Sequence, residues 1–229
     1  AAGLATSFGN GDIECSVEGY YKEMDGLLSY REGGGFLADL DGNWESQVTQ
    51  GIGNSYGMEV LFQKKRGSTA GWIGYTLSWS NRQFDDLNSG EWFPFTYDRR
   101  HDVSVVLTQD INEMWSASAA WVYGTGRAVT LTESIYNGVE FGALAAPSYE
   151  VPSERNAYRM SPYHRLDVSM TRVKPDTDGN RALIFSLYNA YNNLNPFFAL
   201  AEEEPDGSRV IREFGLFPVI PSIAWRFHF

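Results

Sequence analysis

Several constellations in the chain have residue types that could do chemistry. Gly53-Asn54-Ser55-Tyr56-Gly57 fits the G-x-S-x-G pattern, in which a serine hydroxyl attacks an acyl carbon. That attack requires the serine on a sharp turn between a strand and a helix. The residues after Gly57 read as strand, so a loop entering a strand is the plainer reading. Asp39-Leu40-Asp41-Gly42-Asn43 places oxygen ligands at alternate positions, as a calcium loop does. Glu45 is near, but no glutamate falls where the bidentate ligand belongs, and a polar turn explains the stretch equally well. His101, His164 and His228 fall in separate strands, and no pair has metal-ligand spacing. The single cysteine, Cys15, excludes an internal disulfide and a thiolate metal cage. The sequence therefore offers no catalytic set, no metal site and no cofactor site, and the chain reads as a non-enzyme.

The elements that carry these residues alternate with period two, the signal of strands with two different faces. Strands are predicted over 12–22, 55–63, 72–80, 102–108, 115–124, 165–171, 182–192 and 222–229. Leu107, Val168 and Leu187 fall on the apolar face, and Ser104 and Ser169 on the opposite one. That makes about eight strands, each about as long as a tilted membrane crossing requires, with the edges of the set expected at a strand near Ala1–Gly9 and at the strand ending at Phe229. The connections alternate too. Those at 9–12, 65–70, 110–114 and 174–180 are tight and rich in Gly, Asn and Asp. The intervening ones run about 20 residues from Arg31, about 15 from Asn81 and nearly 40 from Gly126, the loop asymmetry of an outer-membrane barrel. In the last hairpin, 181–204 reads as one outward strand and 208–229 as one inward strand, interrupted at Pro218 and Pro221.

Composition narrows the classes. Aromatics make up 15% of the 229 residues, heavy for a soluble domain and suited to interfacial girdles. A net charge of -11 disfavours nucleic-acid binding. There is no apolar run of about 18 residues, so a helical membrane span is excluded, whereas a barrel needs only every second residue apolar.

The chain ends Ile223-Ala224-Trp225-Arg226-Phe227-His228-Phe229. This resembles the outer-membrane assembly signal, which implies that Trp225, Phe227 and Phe229 are read by the barrel-insertion machinery. The stretches YGMEVLFQKKRGSTAGWIGYTLSWSNRQF, FPFTYDRRHDVSVVLTQDINEMWSASAAWVYGTGRAVTL, YHRLDVSMTR, FSLYNAYNNLNPF and FGLFPVIPSIAWRFHF together resemble the C-terminal barrel strands of TonB-dependent outer-membrane receptors. The resemblance covers nearly the whole chain. It implies an all-β fold of antiparallel transmembrane β-barrel strands, part of a larger barrel of about 22 strands closed around a plug.

On that reading residues 1–229 form a single barrel segment without the plug, in the bacterial outer membrane. A leader peptide is expected, either cleaved or upstream. The implied function is TonB-dependent active uptake of a nutrient, for which siderophore, cobalamin, oligosaccharide and peptide all remain open. The implied partners are outer-membrane lipids and lipopolysaccharide, the insertion machinery, the N-terminal barrel and plug region, the TonB complex through that plug, and a surface lipoprotein. Loop aromatics Trp92, Phe93, Tyr97, Tyr136 and Phe141, with Phe95 and Tyr149, are candidate ligand or partner contacts, since flat rings stack on sugars and large organic ligands. Interior charges Glu14, Glu18, Glu59, Asp102, Arg165, Asp167 and Arg226 are expected to pair with one another or with a plug. The acidic tip Glu202-Glu203-Glu204 is expected to stay solvated or to meet divalent ions at the lipopolysaccharide surface. Two alternatives stand beside this. A free-standing small barrel of structural or adhesive role would pair 12–22 with 222–229. An outer-membrane lipid enzyme would need a Ser/His pair at the rim, and no clear one is present.

Overall fold

Alternation alone leaves open how the strands pair, and the pairing decides which residues share a face. The computed structural model describes residues 1–32, 44–137, 148–152, 154–174, 181–206 and 208–227. Nine antiparallel strands follow one another in chain order across one sheet. They are β1 (Ala2–Phe8), β2 (Ile13–Tyr30), β3 (Val48–Lys64), β4 (Thr69–Phe84), β5 (His101–Asp110), β6 (Trp115–Gly124), β7 (Tyr163–Val173), β8 (Arg181–Tyr188) and β9 (Ile220–Phe227). The two-residue strand Phe93–Pro94 is appended to β4. β1 and β9 are the two outer strands and do not pair with each other. The closed small barrel is therefore not formed by these strands.

Directly paired residues share a face. One rung runs Cys15, Phe62, Ile73, Val105, Trp121, Leu166 and is apolar throughout. A rung of the other face runs Glu18, Glu59, Thr76, Asp102, Gly124, Tyr163. Leu107, Ala119, Val168 and Leu187 line up on the apolar face, as expected. That face is bare: Ile73 is 48% exposed, Phe62 44% and Leu107 46%. A continuous exposed apolar face is costly in water and is satisfied by hydrocarbon.

The described tight turns lie at one end. In the first, Gly9, Asn10 and Gly11 have φ of 57°, 56° and 85°, and the amides of Gly11 and Asp12 bond back to Phe8 and Gly9 at 3.1 and 3.2 Å. At 111–114, the Asn112 side-chain oxygen accepts from the amides of Met114 and Trp115 at 2.9 and 3.0 Å. At the other end β2, β3 and β4, of 18, 17 and 16 residues, run on past their 10-residue neighbours β5 and β6.

β1 precedes the eight predicted strands and forms one edge of the sheet, where an edge strand is expected near Ala1–Gly9. One expectation is corrected: the last hairpin is not two unbroken strands. β8 stops at Tyr188, and β9 begins at Ile220. Between them Pro196–Glu203 and Arg209–Gly215 form a separate hairpin. Fully buried Asn189 makes the break. Its side-chain amide donates to the carbonyls of Asn193 and Phe217 at 2.9 and 3.1 Å. Asn189, Asn192 and Phe217 all have positive φ, a conformation that asparagine tolerates best after glycine.

Candidate functional site

At the long-loop end the wall grows a small core of its own. Phe84, Leu87 and Phe93 are buried together, with Leu27 packed against them. Phe93, expected among the surface contacts, is 4% exposed and instead supports the loop from beneath, its ring 6.1 Å from that of Phe84. It presents no face to a ligand. The Arg82 guanidinium stacks 3.4 Å over Phe95, and the Phe95 ring meets Tyr97 edge-on at 5.2 Å. This scaffold leaves Trp92 43% and Tyr97 67% exposed. Tyr136 lies in the loop strand Thr132–Asn137, paired with Tyr149 of Ser148–Pro152. The Tyr136 side chain, all of Phe141, Phe229 and the Asp39–Asn43 stretch lie outside the described residues.

A buried carboxylate that sequence reasoning missed ties the loops together. The Asp98 side chain is 0% exposed. It accepts hydrogen bonds from the Ser80 amide at 2.8 Å, Arg159 Nη2 at 2.6 Å and Arg100 Nη2 at 3.4 Å. Arg159 Nη1 also donates to the carbonyls of Asp98 and Gly126, at 2.7 and 3.0 Å. A Cβ on Gly126 would sit 1.6 Å from the Met160 carbonyl oxygen, so only glycine fits there. Further ties join neighbouring loops. Arg31 and Thr49 share the Asp86 carboxylate at 2.6 and 2.9 Å. The Arg155 side chain reaches Ser29 while its amide donates to Asn88. Burial lowers the Arg155 pKa, with Glu32 opposing that shift. The Asn156 side chain donates to the Pro94 carbonyl at 2.8 Å. No motif marks Asp98, because its closest partners, Ser80 and Arg159, arrive from β4 and from a distant loop.

The hairpin between β8 and β9 docks on the same body. Glu213 accepts from the Tyr158 hydroxyl at 3.0 Å and from the Ser161 amide at 2.8 Å. Burial, and then the bond to Glu213, raise the Tyr158 pKa. Arg212 bridges Glu202 and Glu204 at 2.9 and 2.6 Å, so the acidic tip is partly neutralised from within. Leu194, Phe197 and Phe217 remain 62%, 57% and 61% exposed.

On the polar face one of the expected pairings forms, between Arg165 and Asp167, while Glu14 and Asp102 find other partners. Arg165 reaches Asp167 at 2.9 Å and the hydroxyls of Tyr163 and Tyr188, each at 2.9 Å. Glu14 meets Lys65 at 2.5 Å, and Asp102 meets Arg99 at 3.6 Å. Glu18 stands directly opposite Glu59, both exposed. On the apolar face, Trp225 and Phe227 are 67% and 48% exposed, with rings 5.6 Å apart. Ser55 lies inside the unbroken β3, its hydroxyl donating to Ser80 at 3.1 Å, so the hydrolase elbow is not built.

No family model matches the chain. Over 95 residues, 39% of its length, it is 30% identical to the TonB-dependent receptor SusC of Bacteroides thetaiotaomicron, and the match takes in 9% of that protein. The fold overlays on the ferripyoverdine receptor of the outer membrane of Pseudomonas aeruginosa, solved bound to ferripyoverdine, with a TM-score of 0.55 and 9% sequence identity. The overlay covers 98% of this chain and 26% of that receptor, so the chain spans a small part of each relative.

Proposed function

We propose that this chain, barrel wall of a TonB-dependent outer-membrane receptor, works in the intact protein as one side of a nutrient-uptake channel energised through TonB. The chain lies in the bacterial outer membrane and does no chemistry of its own. It supplies an apolar surface to lipid, a polar surface to the interior, and a braced set of loops to the outside. The observation that carries this reading is the pair of faces held in register from β2 to β7, apolar on one side and more polar, with scattered charges, on the other. In hydrocarbon the unpaired edges of β1 and β9 would each leave a row of backbone groups unsatisfied, at several kcal/mol apiece. Further barrel strands, from the same or another chain, are therefore their proposed partners, and a plug is the proposed neighbour of Glu18 and Glu59.

At the loop end, Trp92 and Tyr97 are the proposed stacking contacts for the ligand. The exposed Leu194, Phe197 and Phe217 are the proposed seat of a surface lipoprotein. The proposed assembly signal is the alternating Trp225, Phe227 and Phe229 of the last strand.

The test is genetic. A strain lacking the intact receptor is grown on a panel of single iron, cobalamin, oligosaccharide and peptide sources. A growth defect on one source is expected, rescued by the wild-type gene only when TonB is present. Growth unchanged on every source, or rescue without TonB, would contradict the reading.

A further inference from the structure

The apolar face over β5–β8 is not smooth. On β6 the residues facing lipid are Trp115, Ala117, Ala119 and Trp121, and the two alanines sit low between larger neighbours. Their rung partners are Gln109 and Leu107 on β5, and Met170 and Val168 on β7. Phe185 and Leu187 on β8 continue the same rungs. The result is a furrow of about 450 Å³ with an almost entirely apolar surface.

A second concavity, about 440 Å³, lies further along the same strands toward the tight-turn end. Arg172, Lys174, Arg181, Leu183 and Trp225 line it. On β7 the furrow residue Met170 and the pocket residue Arg172 are two positions apart on one face, roughly 7 Å along the strand. Phe185 and Leu183 repeat that step on β8. The apolar furrow therefore runs directly into a basic pocket. The Arg172 guanidinium is 5.7 Å from the centre of the Trp115 ring. The Lys174 amide bonds to the Arg181 carbonyl at 3.0 Å, which holds the three cationic positions beside one another. Among the described residues neither Arg172 nor Arg181 has a carboxylate within ion-pair distance. The connecting turn, with Asp176 and Asp178, lies outside those residues.

In a chain with net charge -11, two arginines grouped at the end of a lipid-facing furrow offer a local anion-binding surface. The geometry points to a binding site for one anionic phospholipid of the leaflet at the tight-turn side. Its phosphodiester takes the guanidinium forks of Arg172 and Arg181, whose paired N–H donors match two phosphate oxygens. Its acyl chain lies in the furrow over Ala117 and Ala119. Trp115 and Trp225 sit at headgroup level, where amphipathic rings are favoured. Basic pockets at a membrane interface recognise anionic headgroups in this way. The inference rests on the barrel reading for which face meets lipid, but not on any transported nutrient.

The intact receptor, purified in detergent, is titrated with phosphatidylglycerol, phosphatidylcholine or lipopolysaccharide and followed by native mass spectrometry. One phosphatidylglycerol should be retained, with phosphatidylcholine at least tenfold weaker. The double variant Arg172→Gln/Arg181→Gln should weaken phosphatidylglycerol at least tenfold. Ala119→Leu, which fills the furrow without touching charge, should weaken it separately. Heat-modifiable migration on gels confirms that each variant is a folded barrel, which separates a failed lipid site from a failed barrel reading. Equal retention of both phospholipids, or wild-type retention by the folded double variant, would overturn the site. Lipopolysaccharide held through the same arginines in place of phosphatidylglycerol would overturn the leaflet assignment.

Discussion

The Asp98 carboxylate, sealed from solvent, accepts a 2.6 Å hydrogen bond from Arg159, 61 residues away in the next long loop. This contact and its neighbours tie the described parts of the loops at the long-loop end into one braced body. Asp98→Ala leaves Arg159 and Arg100 without their shared anion and the Ser80 amide without an acceptor. Breaking a buried pair from one side costs about 3–5 kcal/mol. The arginines are 36% and 28% exposed, which places the cost at the lower end, about 3 kcal/mol. Limited proteolysis should then cut within 125–162 while the heat-modifiable barrel persists. A loop as resistant as wild type would mean that the brace is incidental.

The hairpin latch should depend on pH. The Tyr158 pKa is raised in the folded protein, first by burial and then by its bond to Glu213. A raised value means that the stabilisation is complete below the ordinary tyrosine pKa of about 10 and is lost as pH rises through the folded value. A fluorophore placed at position 206, on the hairpin, should report undocking only above about pH 10. Tyr158→Phe should remove that alkaline step. A transition centred near neutrality, or an alkaline step unchanged in Tyr158→Phe, would assign the latch to other groups.

Arginine substitutions should read the two faces. At Leu107 or Val168, on the lipid face, arginine should cost about 2–4 kcal/mol of barrel stability near the midplane. Arginine at Ser104 or Ser169, on the opposite face, should cost far less. Denaturant titration in lipid vesicles gives the values. Equal costs on both faces would mean that the register is shifted by one residue.

Most of the wall was legible because strand alternation needs no tertiary information. Ile73, Tyr75, Leu77 and Trp79 announce a face by themselves. β1 was legible as an edge strand but not in its register, since Ala2, Gly3, Ala5, Thr6 and Ser7 give little contrast between faces. The last hairpin misled for another reason. Asn189 to Asn195 retain no apolar pattern, and a break there depends on left-handed backbone held by Asn189, visible only with its partners in place. Phe93 shows the limit for site residues. A ring in a loop reads equally as a contact or as packing, and Phe84 decides the matter from β4. Asp98 has no local signature, because the geometry that buries it comes from Ser80, Arg100 and Arg159.

The terminal strand should matter for assembly more than for stability. Trp225 and Phe227 lie exposed on the apolar face of an edge strand, the arrangement by which a partner adds a strand. Removing Phe229 should lower the amount of heat-modifiable protein in the outer membrane several-fold. Normal assembly without Phe229 would show that this residue is not read.

A sheet with one face in lipid and the other away from it should betray itself in a label scan along β7. Single nitroxide labels at 164 through 171 in the reconstituted receptor are read for collision with oxygen, which partitions into lipid, and with a water-soluble nickel chelate. A period-two pattern is expected, with oxygen accessibility high at His164, Leu166, Val168 and Met170 and low at Arg165, Asp167, Ser169 and Thr171. Accessibilities that are flat along the strand, or alternate in the opposite phase, would contradict it.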